Sequence, residues 1–287
     1  MRESTDENAR VARLGAGNIH YRELGEGAPI VFVHGFGANS RLWEDVSKLI
    51  VSDPDLKARC ILPDWPLGSH PEGMRPDCDL SPTGVAALIS EFLESLDLAD
   101  VTIVGNDSGG ALVQILVTEH PERIGKLVLT NCDAFDKFPP GHFKLMSKAL
   151  RIPGAGALLA NSMRLGAIRR SPIAYGALTE RPVAEDVIRS WVDPMIEDHA
   201  VRRDGLRFFA GADPAYTRRA ATKLASLPIP SLLVWGDADN WFELADAERL
   251  KELIPKCELV AIPGGKTFVP IDRPQEVAGP IAKFVAS

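Results

Sequence analysis

One short segment combines a carboxylate with the glycines of a sharp strand-to-helix turn. Apolar residues 101–104 run into Gly105-Asn106-Asp107-Ser108-Gly109-Gly110, and an apolar helical segment follows. Such a turn needs small flanking residues because its central residue is strained and exposed at a helix N-terminus. The glycine spacing centres it on Asp107, whose carboxylate the helix dipole would stabilise for attack on an electrophilic carbon.

Two other interpretations of this segment remain open. A shift by one residue would make Ser108 central, although Asn106 fits the tight outer position less well than Gly105. Alternatively, Asp107 only caps the helix, which would be the preferred interpretation if no other catalytic elements accompanied the turn.

Two further strand ends carry residues suited to the same chemistry. Residues 30–33 lead into His34-Gly35-Phe36-Gly37, and in this architecture the N–H groups of Phe36 and Ser108 would form an anion hole. His34 is a candidate substrate contact, although a lone histidine here more often supports the turn. Residues 231–235 lead to Asp239, which occupies the position of an acid that orients a catalytic base or else caps the next helix.

The elements that must position these residues alternate between strands and helices. β-branched apolar runs predict strands over 30–33, 59–62, 101–104, 126–130, 231–235 and 258–262, and helical periodicity covers 42–51, 83–96, 109–119, 245–253 and 275–285. This alternation indicates an α/β protein with a mostly parallel, doubly wound sheet. Residues 10–24 predict an antiparallel hairpin at its edge.

The predicted alternation stops between residues 135 and 227, where proline-punctuated helical pieces replace strands. We therefore expect a core over 1–134 and 228–287 and an inserted helical cap over 135–227. Such a cap would cover the carboxyl ends of the strands, where open α/β folds bind ligands.

The composition of the chain disfavours several classes of binding partner. The 287 residues carry a net charge of −7, which disfavours nucleic acid and anionic membranes, and no apolar run approaches the length of a membrane span. The four cysteines form no metal-binding pattern. We expect a cytoplasmic monomer or homodimer with a disordered N-terminal tail, a small-molecule substrate, and neither cofactor nor metal.

Several motifs in order resemble the α/β-hydrolase fold, and within it the aspartate-nucleophile group of haloalkane dehalogenases and epoxide hydrolases. They are HisGlyPheGly at 34–37, ProAspTrpProLeuGlySer at 63–69, GlyAsnAspSerGlyGly at 105–110, GluHisProGluArgIle at 119–124 and TrpGlyAspAlaAsp at 235–239. The resemblance implies that Asp107 forms an ester with the substrate. A histidine held by Asp239, or by Asp133 as the alternative acid, would then activate the hydrolytic water.

That histidine is replaced. Where the family reads roughly IlePro-Gly-x-Gly-His-Phe, residues 262–268 read IlePro-Gly-Gly-Lys-Thr-Phe and place Thr267 at the position of the base. A threonine hydroxyl cannot accept a proton from water near neutral pH, and Lys266 could do so only with a strongly lowered pKa. The loss of a general base typically costs on the order of 10² to 10⁴ in rate.

The resemblance also bears on the substrate. Dehalogenases of this group usually carry a tryptophan after the nucleophile and a halide donor near the His-Gly turn, where this chain has Ser108 and Phe36. Epoxide hydrolases protonate the ring oxygen with cap tyrosines, and Tyr175 and Tyr216 lie in the predicted cap. The full set of candidate substrate contacts is His34, Trp65, His70, His142, Tyr175, Trp191 and Tyr216.

Three functions are consistent with these residues. The first is a hydrolase-type enzyme in which Asp107 attacks an epoxide-like substrate, with Asp239 and Thr267 in an atypical triad. The second is a lyase, isomerase or cyclase that uses Asp107 as a general base and needs no activated water. The third is a ligand-binding protein that has lost turnover.

Overall fold

The computed structural model describes residues 8–287, with the exception of the side chain of His142. Within this range the chain forms eight strands. Of the ten N-terminal residues that we expected to be disordered, residues 1–7 lie outside the described range, whereas Ala9 and Arg10 belong to a strand. The strands are β1 Ala9–Leu14, β2 Gly17–Gly25, β3 Ala28–Val33, β4 Ala58–Pro63, β5 Val101–Asp107, β6 Ile124–Cys132, β7 Ser231–Gly236 and β8 Cys257–Ile262.

These strands form one sheet in the order β1-β2-β4-β3-β5-β6-β7-β8. The pairs β1/β2 and β2/β4 are antiparallel, and the remaining pairs are parallel. The predicted fold class is therefore confirmed, including the hairpin at the sheet edge. β5 lies between β3 and β6, so the residues that follow these three strands meet at one edge of the sheet.

Helices cover both faces of the sheet. The core helices are α1 Glu44–Val51, α2 Pro82–Ser95, α3 Ser108–Glu119, α10 Leu244–Leu253, α11 Val269–Asp272 and α12 Pro274–Ala286. Alternate residues of β3 pack into apolar layers on opposite faces of the sheet. Val31 and Val33 belong to one apolar cluster with residues of α2 and α3, and Ile30 and Phe32 belong to another with residues of α1 and α12.

Between β6 and β7 the described chain is helical, as the sequence predicted. This segment contains α4 Gly141–Ala149, α5 Ala155–Ser162, α6 Gly166–Arg169, α7 Glu185–Glu197, α8 His199–Gly211 and α9 Pro214–Leu224. The division into 1–134, 135–227 and 228–287 stays a prediction. Among the described residues, no helix has the length and apolar character needed to cross a bilayer.

Candidate active site

Asp107 occupies the turn that joins β5 to α3. Its backbone has φ 54° and ψ −133°, a left-handed conformation that is rare for a residue with a side chain. Its Oδ1 accepts a 2.7 Å hydrogen bond from the N–H of Ser108, the first residue of α3. The strained turn therefore directs the carboxylate to the N-terminal end of the helix, as the glycine spacing predicted.

Two glycines make this turn sterically feasible. A Cβ at Gly105 would lie 2.7 Å from the Val113 side chain and 2.8 Å from the Cα of Gly110. A Cβ at Gly35 would lie 2.6 Å from Oδ2 of Asp107. Any larger residue at position 35 would collide with the carboxylate itself, so the His-Gly turn after β3 and the turn after β5 fit together.

The two predicted anion-hole amides differ in their contacts. The N–H of Ser108 binds the Asp107 carboxylate, whereas the N–H of Phe36 donates to the Ser108 hydroxyl at 2.8 Å. The Ser108 hydroxyl thus accepts the hydrogen bond that the N–H of Phe36 would otherwise donate to an anion. An anion could use the Phe36 N–H only if the Ser108 side chain rotated away.

Asp107 faces a cavity of about 520 Å³ between the sheet and the cap. Most of its wall is apolar, and two adjacent carboxyl residues, Asp107 and Asp133, provide the acidic groups in it. Representative apolar wall residues are Phe138, Phe143, Met195, Phe209 and Trp241. Such a cavity favours a small apolar organic molecule with a reactive centre at the carboxyl end.

Burial raises the pKa values of both Asp107 and Asp133. Burial raises the pKa of Asp107 to about 7, against the lowering effect of the Ser108 N–H, and the charge of Asp239 raises it further. Burial and the neighbouring Asp107 raise the pKa of Asp133 well above its ordinary value. Asp133 therefore keeps its proton to a higher pH than an ordinary aspartate, and the ionisation of either acid opposes that of the other.

Asp239 lies in the loop after β7 and is held by several donors. Its Oδ1 accepts hydrogen bonds from the N–H groups of Trp241 and Phe242 at 2.8 and 3.2 Å, and its Oδ2 accepts one from Asn131 at 2.9 Å. Burial raises the pKa of Asp239, and these donors oppose the shift. Asn131 and the two backbone N–H groups thus fix this carboxylate in the loop after β7.

Thr267 follows β8 and lies beside Asp239. Its hydroxyl contributes to lowering the Asp239 pKa, yet Oγ1 makes no hydrogen bond of normal geometry and the residue is 1% exposed. Neither residue forms part of the cavity wall. A threonine side chain is too short to extend from this acid to the cavity.

Comparison with known proteins assigns the chain to a family. The model of the alpha/beta hydrolase family matches residues 30–279. The chain belongs to this family. The match begins within β3, includes the helical segment between β6 and β7, and ends in the first half of α12.

Curated relatives of this α/β hydrolase include two kinds of enzyme. It is 27% identical over 268 residues to 2-hydroxy-6-oxononadienedioate/2-hydroxy-6-oxononatrienedioate hydrolase 2 of Pseudomonas putida, covering 89% of this chain and 88% of that one. It is 28% identical over 274 residues to haloalkane dehalogenase 2 of Mycobacterium tuberculosis (strain ATCC 25618 / H37Rv), covering 92% and 90%.

Solved structures share the fold of this α/β hydrolase. The haloalkane dehalogenase DatA from Agrobacterium tumefaciens C58 superimposes with a TM-score of 0.78 at 21% identity, over 96% of this chain and 95% of that one. An alpha/beta hydrolase fold protein from Burkholderia ambifaria superimposes with a TM-score of 0.78 at 21% identity, over 96% of this chain and 97% of that one.

Two predicted substrate contacts of the α/β hydrolase instead support the turn after β3. Nδ1 of His34 donates to the Gly35 carbonyl at 2.9 Å, and its Nε2 accepts from the backbone N–H of Trp65 at 2.9 Å. The Trp65 ring donates to the Phe32 carbonyl. Burial lowers the pKa of His34 to about 4. Neither residue lines the cavity, so their assignment as substrate contacts is corrected.

His70 and Tyr216 also lie away from the cavity wall. Nε2 of His70 contacts Asp204 of α8 at 3.4 Å, which places the ring between the core and the cap. Tyr216, on α9, packs partly buried against the main apolar cluster. Both predictions of substrate contact are therefore corrected. The side chain of His142 lies outside the described residues, so its predicted role stays a prediction.

Tyr175 and Trp191 do line the cavity. The Tyr175 hydroxyl donates a short hydrogen bond to the Gly37 carbonyl, and burial raises its pKa. The Trp191 ring donates to Oδ1 of Asn39 at 3.0 Å. Each polar group is thus engaged by the core, and the aromatic rings serve as wall. Lys266, considered as a replacement base, donates instead to the Thr179 carbonyl.

Sequence reasoning missed the supporting residue Asn131 and most of the apolar cavity wall. Asn131 lies at the end of β6, two residues before Asp133, and its position beside a strand end was the available signal. The cap phenylalanines gave no comparable signal, because aromatic residues in amphipathic helices pack equally well into a core or around a ligand.

Proposed function

We propose that this member of the alpha/beta hydrolase family acts on a small, largely apolar organic electrophile of the epoxide class through the carboxylate of Asp107. The observation that carries the proposal is the strained turn that holds Asp107 at the end of an apolar cavity of about 520 Å³. A carboxylate of raised pKa in an apolar enclosure is a reactive nucleophile because little water solvates it.

The donors around the nucleophile support an epoxide more than an alkyl halide. A departing halide needs N–H donors, yet Ser108 follows Asp107 and its hydroxyl occupies the N–H of Phe36. An epoxide keeps its leaving oxygen and needs a proton instead. Asp239 and Thr267 form an atypical triad in this proposal, and the ester on Asp107 would break down slowly because threonine cannot activate water.

Mass spectrometry of the protein after incubation with styrene oxide tests this proposal. We expect one added reagent mass on the peptide containing Asp107, removable by hydroxylamine because the bond is an ester. A thioether at a cysteine would resist hydroxylamine. Asp107→Asn is the matched control and should give no ester. An unmodified Asp107 peptide across apolar epoxides of varied size would refute the proposal.

A second candidate follows from the position of Thr267 behind the cavity wall. Reactions that need no activated water would suit such a site, and Asp107 could serve as a general base in an isomerase, lyase or cyclase. The test is deuterium incorporation next to the carbonyl of apolar ketones in D₂O. Exchange that Asp107→Asn abolishes, without any adduct in the parent protein, would favour this candidate.

A further inference from the structure

Asp133 is placed next to Asp107 by the pairing of two central strands. Asp107 pairs with Cys132 across β5 and β6, and the backbone N–H of Asp133 donates to the Asp107 carbonyl at 3.3 Å. Both residues line the same cavity. Two carboxyl groups therefore face one apolar space from adjacent strand ends.

The Asp133 side chain lacks the contacts that a structural role would require. It is 1% exposed, and its Oδ1 has no hydrogen-bond partner among the described residues. The bonds given for Asp133 are made by its backbone, whose carbonyl accepts from Nε2 of Gln114 at 2.8 Å and whose N–H donates to the Asp107 carbonyl. A buried polar atom without a partner destabilises the folded state, so one that is retained calls for a ligand.

We propose that Asp133 is a catalytic residue, the proton donor to the oxygen that leaves the carbon attacked by Asp107. This inference rests on the proposed function of Asp107. An Asp107 oxygen forms the new C–O ester bond while the ring C–O bond of the epoxide breaks. The ring oxygen takes the proton of the Asp133 carboxyl group, which gives a β-hydroxy ester on Asp107 and a carboxylate on Asp133. Solvent then returns a proton to Asp133.

The exchange keeps the electrostatics of the cavity nearly constant. Before the step the pair carries one negative charge on Asp107, and after it the pair carries one on Asp133. Apolar surroundings penalise a second charge strongly, so two close carboxyl groups that share one proton suit this transfer. Separate acid and base roles for neighbouring carboxyl groups arise in this way when their pKa values differ.

Tyr175 is another wall residue that could donate a proton, and its geometry is less suitable. Its O–H already donates to the Gly37 carbonyl, so protonating a substrate would require breaking that bond. Burial also raises its pKa, which makes the phenol a weaker acid than a carboxyl group. Asp133 needs no such rearrangement.

Two reagents with the same skeleton separate the nucleophile from the acid. Styrene oxide needs a proton on its leaving oxygen, whereas 2-phenylethyl iodide releases iodide without one. In Asp133→Asn, which replaces a neutral acid with a neutral amide of equal size, ester formation from styrene oxide should slow on the order of 10²-fold. The rate with the iodide should stay within a few-fold. Asp136→Asn, at an exposed site, is the matched control.

A measurement on the unmodified protein makes the test independent of folding of the variant. In D₂O, ester formation from styrene oxide should slow, because a proton moves in the rate-determining step, and the rate with the iodide should not. The role of Asp133 would be overturned if Asp133→Asn left the rates with both reagents unchanged or lowered both by the same factor. A D₂O effect of equal size with the two reagents would also overturn it. Absence of any Asp107 ester with either reagent in the parent would instead refute the proposed function.

Discussion

Asn131 and Asp239 are joined by a hydrogen bond of 2.9 Å from Nδ2 to Oδ2. The same amide donates to the Gly236 carbonyl at 3.0 Å, and its Oδ1 accepts from the Gly236 N–H at 2.7 Å. Asn131 therefore fixes the end of β7 and the carboxylate that follows it. Thr267 lies beside this carboxylate.

Asn131→Asp should destabilise the protein. The new carboxylate would face that of Asp239 and the Gly236 carbonyl without a proton to donate, at a cost of roughly 3 kcal/mol near pH 8. Urea unfolding at pH 8 and pH 5 measures this loss, which should shrink at pH 5 as one carboxyl group becomes protonated. Asn240→Asp makes the same change at an exposed site and should have little effect. A loss that is equal at both pH values would contradict the assignment.

Thr267→His should accelerate breakdown of the Asp107 ester. An imidazole beside the fixed Asp239 carboxylate could reach past the cavity wall and activate water, which typically contributes on the order of 10² to 10⁴ in rate. The loss of the hydroxylamine-sensitive adduct over time measures it. Thr267→Gln is the control because its side chain is similar in length but cannot accept a proton from water. Equal lifetimes in the two variants would show that the position no longer supports hydrolysis.

Asp107→Asn should stabilise the protein increasingly as the pH rises. The folded-state pKa of about 7 exceeds the ordinary value of 3.8, so the parent loses stability as the pH rises between these values. The variant lacks this loss and should gain up to about 4 kcal/mol at pH 8 relative to pH 4. Unfolding free energies at both pH values test this, with exposed Asp45→Asn as control. A difference in unfolding free energy between parent and variant that is the same at both pH values would show that water solvates the Asp107 carboxylate.

The pH dependence of ester formation should differ between the two phenylethyl reagents. With the iodide, the rate should rise through about pH 7 as Asp107 ionises, and then level off. With styrene oxide, it should rise and then fall as Asp133 loses its proton. The other titratable groups facing this pair are Asp239, Cys132 and Tyr175, and burial raises the pKa of each. A falling limb with the iodide would contradict the assignment.

Patterns in the sequence determined the scaffold and the strained turn that carries Asp107. The alternation of β-branched runs with helical segments predicted the parallel sheet and the cap position, because side-chain periodicity reflects local backbone geometry. The glycines around Asp107 predicted the strained turn, because steric restrictions act over a few residues. Alignment of residues 262–268 with the family pattern predicted Thr267 at the base position, and this assignment stays a prediction.

Only the tertiary structure decided which side chains face the cavity. His34 and Trp65 follow strands that end near the cavity, yet neither residue lines it. The His34 ring accepts a hydrogen bond from the backbone N–H of Trp65, and the Trp65 ring donates to the Phe32 carbonyl. Asp133 lies at a strand end like Asn131, two residues away, but one lines the cavity and the other holds Asp239. The orientation of a side chain after a strand depends on how the cap and the loops pack over the sheet, and these long-range contacts leave no periodic signal in the chain.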